Sequence, residues 1–241
     1  MDPDNYQETP DEYCLSFASG IFREYSAKHL YSGFYRFIYL SADNIRHFLE
    51  LCYQSLTLYF DSVNAIHDDF IDITSMNSIP PTHMHDAAET VSQKLVKDIG
   101  SYTPLGQALN VLTVRLTEIF YILHQDRLSE PEINHFSLDS NAFEGGLERL
   151  LNQALCWNVL IDHPNTKEEK QFKETYLDHQ LNPMYSPAFG ISYRKMHKIT
   201  LEVHDLNIIC NGDNNQFEEL KLKFKNSNKK KIQGDIFDEY D

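Results

Sequence analysis

Between residues 40 and 60 the chain reads LSADNIRHFLELCYQSLTLYF, with Ile45, Phe48, Leu49, Cys52, Leu56, Tyr59 and Phe60 recurring at three- and four-residue spacing. That period puts them on one face of a helix and predicts a long helix over about 42–63. Ser41 or Asp43 can supply its N-cap oxygen. Arg46 then falls in the first turn, where a cation opposes the helix dipole. It reads as a residue set to meet an anion or a carboxylate, against the plainer reading of a solvated surface arginine.

The same patterning organises the rest of the chain. Residues 1–13 are polar and acidic and read as disordered. A short helix is expected over 20–30, followed by a turn into the aromatic run 34–39. Pro80-Pro81 marks a boundary, because neither proline fits a helix interior or a central strand. Beyond it, Thr82 can cap a helix ending at Gly100, and a second helix follows Pro104 with Leu105, Leu109, Leu112, Leu116, Phe120 and Leu123 in phase. A short strand is expected at 135–138, a third helix at 142–157, and two β-prone runs at 158–162 and 175–178 around a charged segment. Three helices and then a hairpin with a charged tip is the layout of a winged helix-turn-helix domain. Residues 181–190 hold Pro183 and Pro187 and predict an irregular segment or one helical turn. A strand at 199–203 and a helical turn at 204–210 follow. From 211 the chain is polar and reads as mostly disordered, with a weak helix at 216–224 and the Lys229–Lys231 run as a solvated tail.

Charge alters this picture. The formal charge is −15 over 241 residues, which argues against broad nucleic-acid binding through neutralised phosphates. Residues 1–77 contain only Arg23, Lys28, Arg36 and Arg46 as Lys or Arg, against twelve carboxylates. Lys167, Lys170, Lys173, Arg194, Lys195 and Lys198 cluster later and form a candidate local DNA contact. The expected recognition helix exposes Glu144, Glu148, Arg149, Asn152 and Gln153, a mixed face poorly suited to groove reading. Cys14, Cys52, Cys156 and Cys210 have no paired spacing, and Cys52 and Cys156 fall on apolar helix sides, as reduced thiols of a cytoplasmic protein would. No apolar run is long enough for a membrane span.

Other constellations carry little chemistry. His83 and His85 are two apart and point away from each other on a helix, so no metal is expected there. His67 with Asp68, Asp69 and Asp72 reads as a solvated acidic turn, and Glu130 and Glu132 as turn-shaping residues. No GxSxG elbow or interpretable Cys/His pair supports nucleophilic catalysis.

Three stretches carry a resemblance. GFYRFIYLSADNIRHFLELC resembles the helical lid of origin-recognition-complex-like AAA ATPases found in bacteria. LSEPEINHFSL resembles a segment of the winged-helix region that follows that lid, and LNPMYSPAFGISYRKMHKITL the closing segment of the family. Their order and spacing agree over roughly residues 15–205. The resemblance implies a mainly α chain: a lid-like helical module at 14–77, a winged-helix domain at 78–210 and a loose tail at 211–241. It also implies that Arg46, in an LSxxNxR-type motif with Ser41 and Asn44, is the sensor that reads nucleotide phosphate.

The departure concerns the nucleotide-binding core. The chain has no GxxxxGK[ST] loop and no apolar strand ending in paired carboxylates. ATP and Mg²⁺ are therefore expected only in an assembly whose P-loop core is supplied elsewhere. Expected partners are such a core or another protein subunit, and double-stranded DNA. The resemblance suggests genome maintenance or antiphage defence. Rival readings are a protein-interaction adaptor without a nucleotide role and a DNA-binding regulator.

Overall fold

The computed structural model describes residues 31–64, 78–125, 133–139, 145–164, 177–195 and 197–237. In chain order these form α1 (Phe34–Ser41), α2 (Ile45–Asn64), α3 (Pro81–Ile99), α4 (Gly106–Gln125), β1 (Ile133–Leu138), α5 (Gly145–Cys156), β2 (Leu160–Pro164) and β3 (Leu177–Leu181). A 3-10 turn at Pro183–Tyr185 then runs into α6 (Ser186–Phe189), followed by β4 (His197–Leu201), α7 (Val203–Asn211) and α8 (Asn214–Phe237). The protein is mainly helical, a helical bundle with a small sheet that contains a β-hairpin.

The sheet has the order β2-β3-β1-β4. β2 and β3 form the antiparallel hairpin, β1 pairs antiparallel with β3, and β4 runs parallel to β1. Phe136 stands opposite His179 and Ile199, and Leu138 opposite Leu201, so one face feeds the core. The other face is polar: His163 aligns with Asp178, Asp178 with Ser137, and Gln180 with His135.

Two apolar clusters hold the described residues together. The larger joins Leu109, Leu112, Leu116 and Phe120 of α4, Leu147, Leu150 and Leu151 of α5, the inner sheet face, α7 and α8. The smaller joins Tyr31, Phe37 and Leu40 with Leu51 of α2, Ala88 and Val91 of α3, and Met184. α3 serves both, since its last residue, Ile99, lies in the larger cluster. Its opposite side reaches α6, where Ser92 Oγ accepts from the Ala188 amide at 3.0 Å.

Several local expectations are corrected. α3 begins at Pro81 with Pro80 at the N-cap, not with a Thr82 cap; proline at the first helical position has no amide to satisfy and its φ is preset. α2 is capped by Asn44, not by Ser41 or Asp43: the Arg46 amide donates to Asn44 Oδ1 at 3.0 Å. Ala42 and Asp43 instead take left-handed backbone angles, φ 47 and φ 60, and turn the chain between α1 and α2. Cys156 is exposed, whereas Cys210 is buried and its thiol is pushed up to about 12 by desolvation.

The tail, expected to be mostly disordered around a weak helix at 216–224, is a helix over Asn214–Phe237. Phe217 and Leu220 are buried and Phe224 packs beside them, a spacing that gives α8 one anchored side despite its polar composition. Arg115 of α4 secures the join. Its guanidinium donates to the carbonyls of Ile208 (3.2 Å) and Gly212 (2.7 Å) at the end of α7 and lies 4.8 Å from the Phe217 ring, supplying partners for carbonyls that a helix end leaves free. Residues 1–13, His67 with its acidic neighbours, Glu130 and Glu132 lie outside the described residues. No helix among the described residues is long and apolar enough to cross a membrane.

Candidate functional site

The entrance to α2 is built by residues 41–46. The Ser41 hydroxyl donates to the Ile38 carbonyl at 2.7 Å and its carbonyl accepts from the Asn44 amide at 2.9 Å. Asn44 in turn holds the Arg46 amide. Ser41 and Asn44 thus fix the turn, and their side chains are occupied within it. The Arg46 side chain is exposed, and among the described residues its guanidinium has no ion-pair or hydrogen-bond partner.

One helical turn further on, Glu50 accepts from Lys94 of α3, Nζ to Oε1 at 2.7 Å. The Lys94 side chain is 64% exposed and that of Glu50 26%. The hydrogen bond to Glu50 holds the ammonium above its usual pKa, while the nearby Arg46 charge works against it. Glu50 thus links α2 to α3, and the Arg46 and Lys94 charges stand near enough to repel each other. His47, beside Arg46, is held below the usual imidazole range by burial, and its Nδ1 is buried with no hydrogen-bond partner among the described residues.

Around this charge cluster the surface is apolar. Phe34, Tyr35, Ile38 and Tyr39 of α1, and Ile45, Leu49 and Tyr53 of α2, are exposed. The last three recur every four residues and make a stripe along α2. Phe34 meets the Phe48 ring edge-on at 5.5 Å, which ties the α1 side chains to that stripe. Seven large apolar side chains are exposed within these twenty residues, a contiguous patch rather than scattered surface positions.

The other candidate cations are placed differently. Lys195 and Lys198 both reach Asp178, at 3.5 and 2.9 Å, and the Asp178 side chain is only 3% exposed. Arg194 lies over the Tyr193 ring at 5.9 Å. Lys167, Lys170 and Lys173 fall outside the described residues. The segment carrying Arg194 is stitched to the polar sheet face: Asn134 Nδ2 donates to the Arg194 carbonyl, and Gln180 Nε2 to the Tyr193 carbonyl at 3.2 Å. The exposed part of α5 offers Glu148, Arg149 and Asn152, still mixed in charge.

The two α3 histidines diverge. His83 contacts Ser62 Oγ at 3.1 Å, while His85 stacks on Tyr31 with ring centroids 5.7 Å apart. Sequence reasoning missed Lys94 and Glu50. Each sits on a polar helix face, and only the packing of α3 against α2 brings them together.

Comparisons with curated proteins and with solved structures each give no match. The family model described as ORC-CDC6-like matches residues 2–201, most of the chain and all of α1 to β4. With a mainly helical body, an arginine at the entrance of α2 and this match, the chain belongs to the ORC-CDC6-like family, which is related to the AAA ATPases.

Proposed function

We propose that this chain is a noncatalytic regulatory part of an AAA-type ATPase, with α1 and α2 acting as a lid over a P-loop core carried by another polypeptide segment. Arg46 reads the phosphate of the nucleotide held by that core, and Ser41 and Asn44 shape the turn that presents it. The observation that carries this reading is the Arg46 guanidinium itself: exposed, without a partner among the described residues, and set in an apolar surface. A guanidinium offers phosphate a planar fork of donors and keeps its charge at any physiological pH. The apolar rim excludes water once a partner docks, which strengthens the contact.

The test is ATP turnover by the assembly formed with a P-loop ATPase that co-purifies with the full chain. Arg46→Ala is expected to change turnover by at least about ten-fold, on the scale of one charge-assisted contact in a dry site. Unchanged turnover removes the sensor role.

A second reading concerns the other module. The strand order β2-β3-β1 with α5 beside the hairpin supports a winged-helix domain. Its DNA contacts then come from Lys167, Lys170 and Lys173 between β2 and β3, because Asp178 already engages Lys195 and Lys198. Binding of duplex DNA that weakens steeply with salt, and further on replacing the three lysines by Ala, supports this reading. Absence of binding at low salt removes it and leaves a protein partner as the role of the module.

A further inference from the structure

We propose that Lys94 is a second phosphate-binding residue beside Arg46, and that Glu50 holds it in reserve until the phosphate arrives. This deepens the phosphate-sensing reading and rests on it. Lys94 comes from α3, a different helix from Arg46, and its ammonium is held by Glu50, one helical turn along α2 from Arg46. Glu50 follows Arg46 by four residues, so guanidinium and carboxylate share a face of α2.

The Glu50–Lys94 bond is short, but the lysine is mostly exposed, and ion pairs of that kind contribute little net stability. It is easily surrendered. A phosphate chain carrying several negative charges offers Lys94 a stronger partner than one carboxylate does. Glu50 also repels an approaching anion, so its charge sets a threshold: singly charged anions do not displace it, and polyphosphates do. The ammonium then moves from Glu50 Oε1 to a phosphate oxygen, with no bond broken other than hydrogen bonds.

The experiment titrates the full chain with inorganic tripolyphosphate and, in parallel, with acetate, following the Lys94 Cε and Arg46 Nε resonances. In the wild type both resonances are expected to shift together with tripolyphosphate and to stay fixed with acetate. Lys94→Ala is expected to weaken tripolyphosphate binding roughly five-fold and Glu50→Gln to tighten it by a similar factor, as for one exposed charge at contact distance. Lys94→Arg is expected to retain most of the binding, which a merely structural lysine would not explain. If Arg46→Ala abolishes binding while Lys94→Ala and Glu50→Gln leave it unchanged, the Lys94 proposal is overturned and the Arg46 reading stands. If Arg46→Ala also leaves binding unchanged, or the wild type shows no shift, the Lys94 proposal falls, and the Arg46 reading stands or falls with ATP turnover of the assembly.

Discussion

The Tyr31 hydroxyl donates to the Ile191 carbonyl at 2.7 Å, across 160 positions of sequence. Tyr31 is fully buried, stacks on His85 of α3, and its amide donates to that ring's Nδ1 at 3.3 Å. One side chain thus ties the approach to α1 to α3 and to the segment before β4. Tyr31→Phe keeps the ring and removes the donor, leaving a buried carbonyl short of a partner. A loss of about 1 kcal/mol is expected from denaturant unfolding. A variant as stable as the wild type would show that this bond does not hold the two segments together.

The two lysine–carboxylate clusters should differ in strength. Asp178 is buried between Lys195 and Lys198, so Asp178→Ala leaves two half-buried cations without their carboxylate. About 2 kcal/mol of destabilisation is expected. Lys94→Ala at the exposed Glu50 pair should cost less than about 1 kcal/mol. The reverse order in thermal or denaturant unfolding would contradict the burial argument.

Falling pH should destabilise the fold through His135. Burial first, and then the Lys195 charge, lower its pKa to about 4, with Lys198 and His163 acting in the same direction and Asp178 against them. The unfolded histidine titrates near 6.5. Above that pH both states are neutral and the group contributes nothing. Between about 6.5 and 4 the unfolded state binds a proton that the folded state does not, so stability drops as pH falls. His163 and His47, lowered mainly by burial, act with the same sign. His135→Asn should flatten the decline across that window in urea titrations at stepped pH. An unchanged slope would assign the decline to other groups.

α8 should contribute to the core. Phe217 is buried against α4 and lies under the Arg115 guanidinium. Phe217→Ala is expected to cost about 3 kcal/mol, as for other buried aromatic truncations. If the helix were only a solvated tail, the change would be near zero, and unfolding of the full chain distinguishes the two.

Much of this architecture was legible in the residues. The 3.6-residue period of Leu109, Leu112, Leu116 and Phe120 located α4, and the β-prone runs on either side of the 163–174 segment located the hairpin. Of α8 only a weak helix at 216–224 was legible, because its three anchoring residues stand among lysines and glutamates and only tertiary contact with α4 and α7 reveals their value. The Asn44 cap was missed because Ser41 and Asp43 are equally good capping residues. What decides among them is the backbone, which turns left-handed at Ala42 and Asp43. Arg46 was legible as an arginine in a first helical turn. Its neighbour Lys94 was not, since nothing in α3 itself announces a contact with Glu50.

The most direct measurement of the central claim is the affinity of the full chain for a P-loop ATPase partner loaded with ATP, compared with the same partner loaded with ADP. If Arg46 reaches the terminal phosphate, the ATP-loaded partner should bind at least about ten-fold more tightly, one strong charge-assisted contact's worth, and Arg46→Ala should erase the difference. Equal affinity for the two nucleotide states in the wild type would contradict the account.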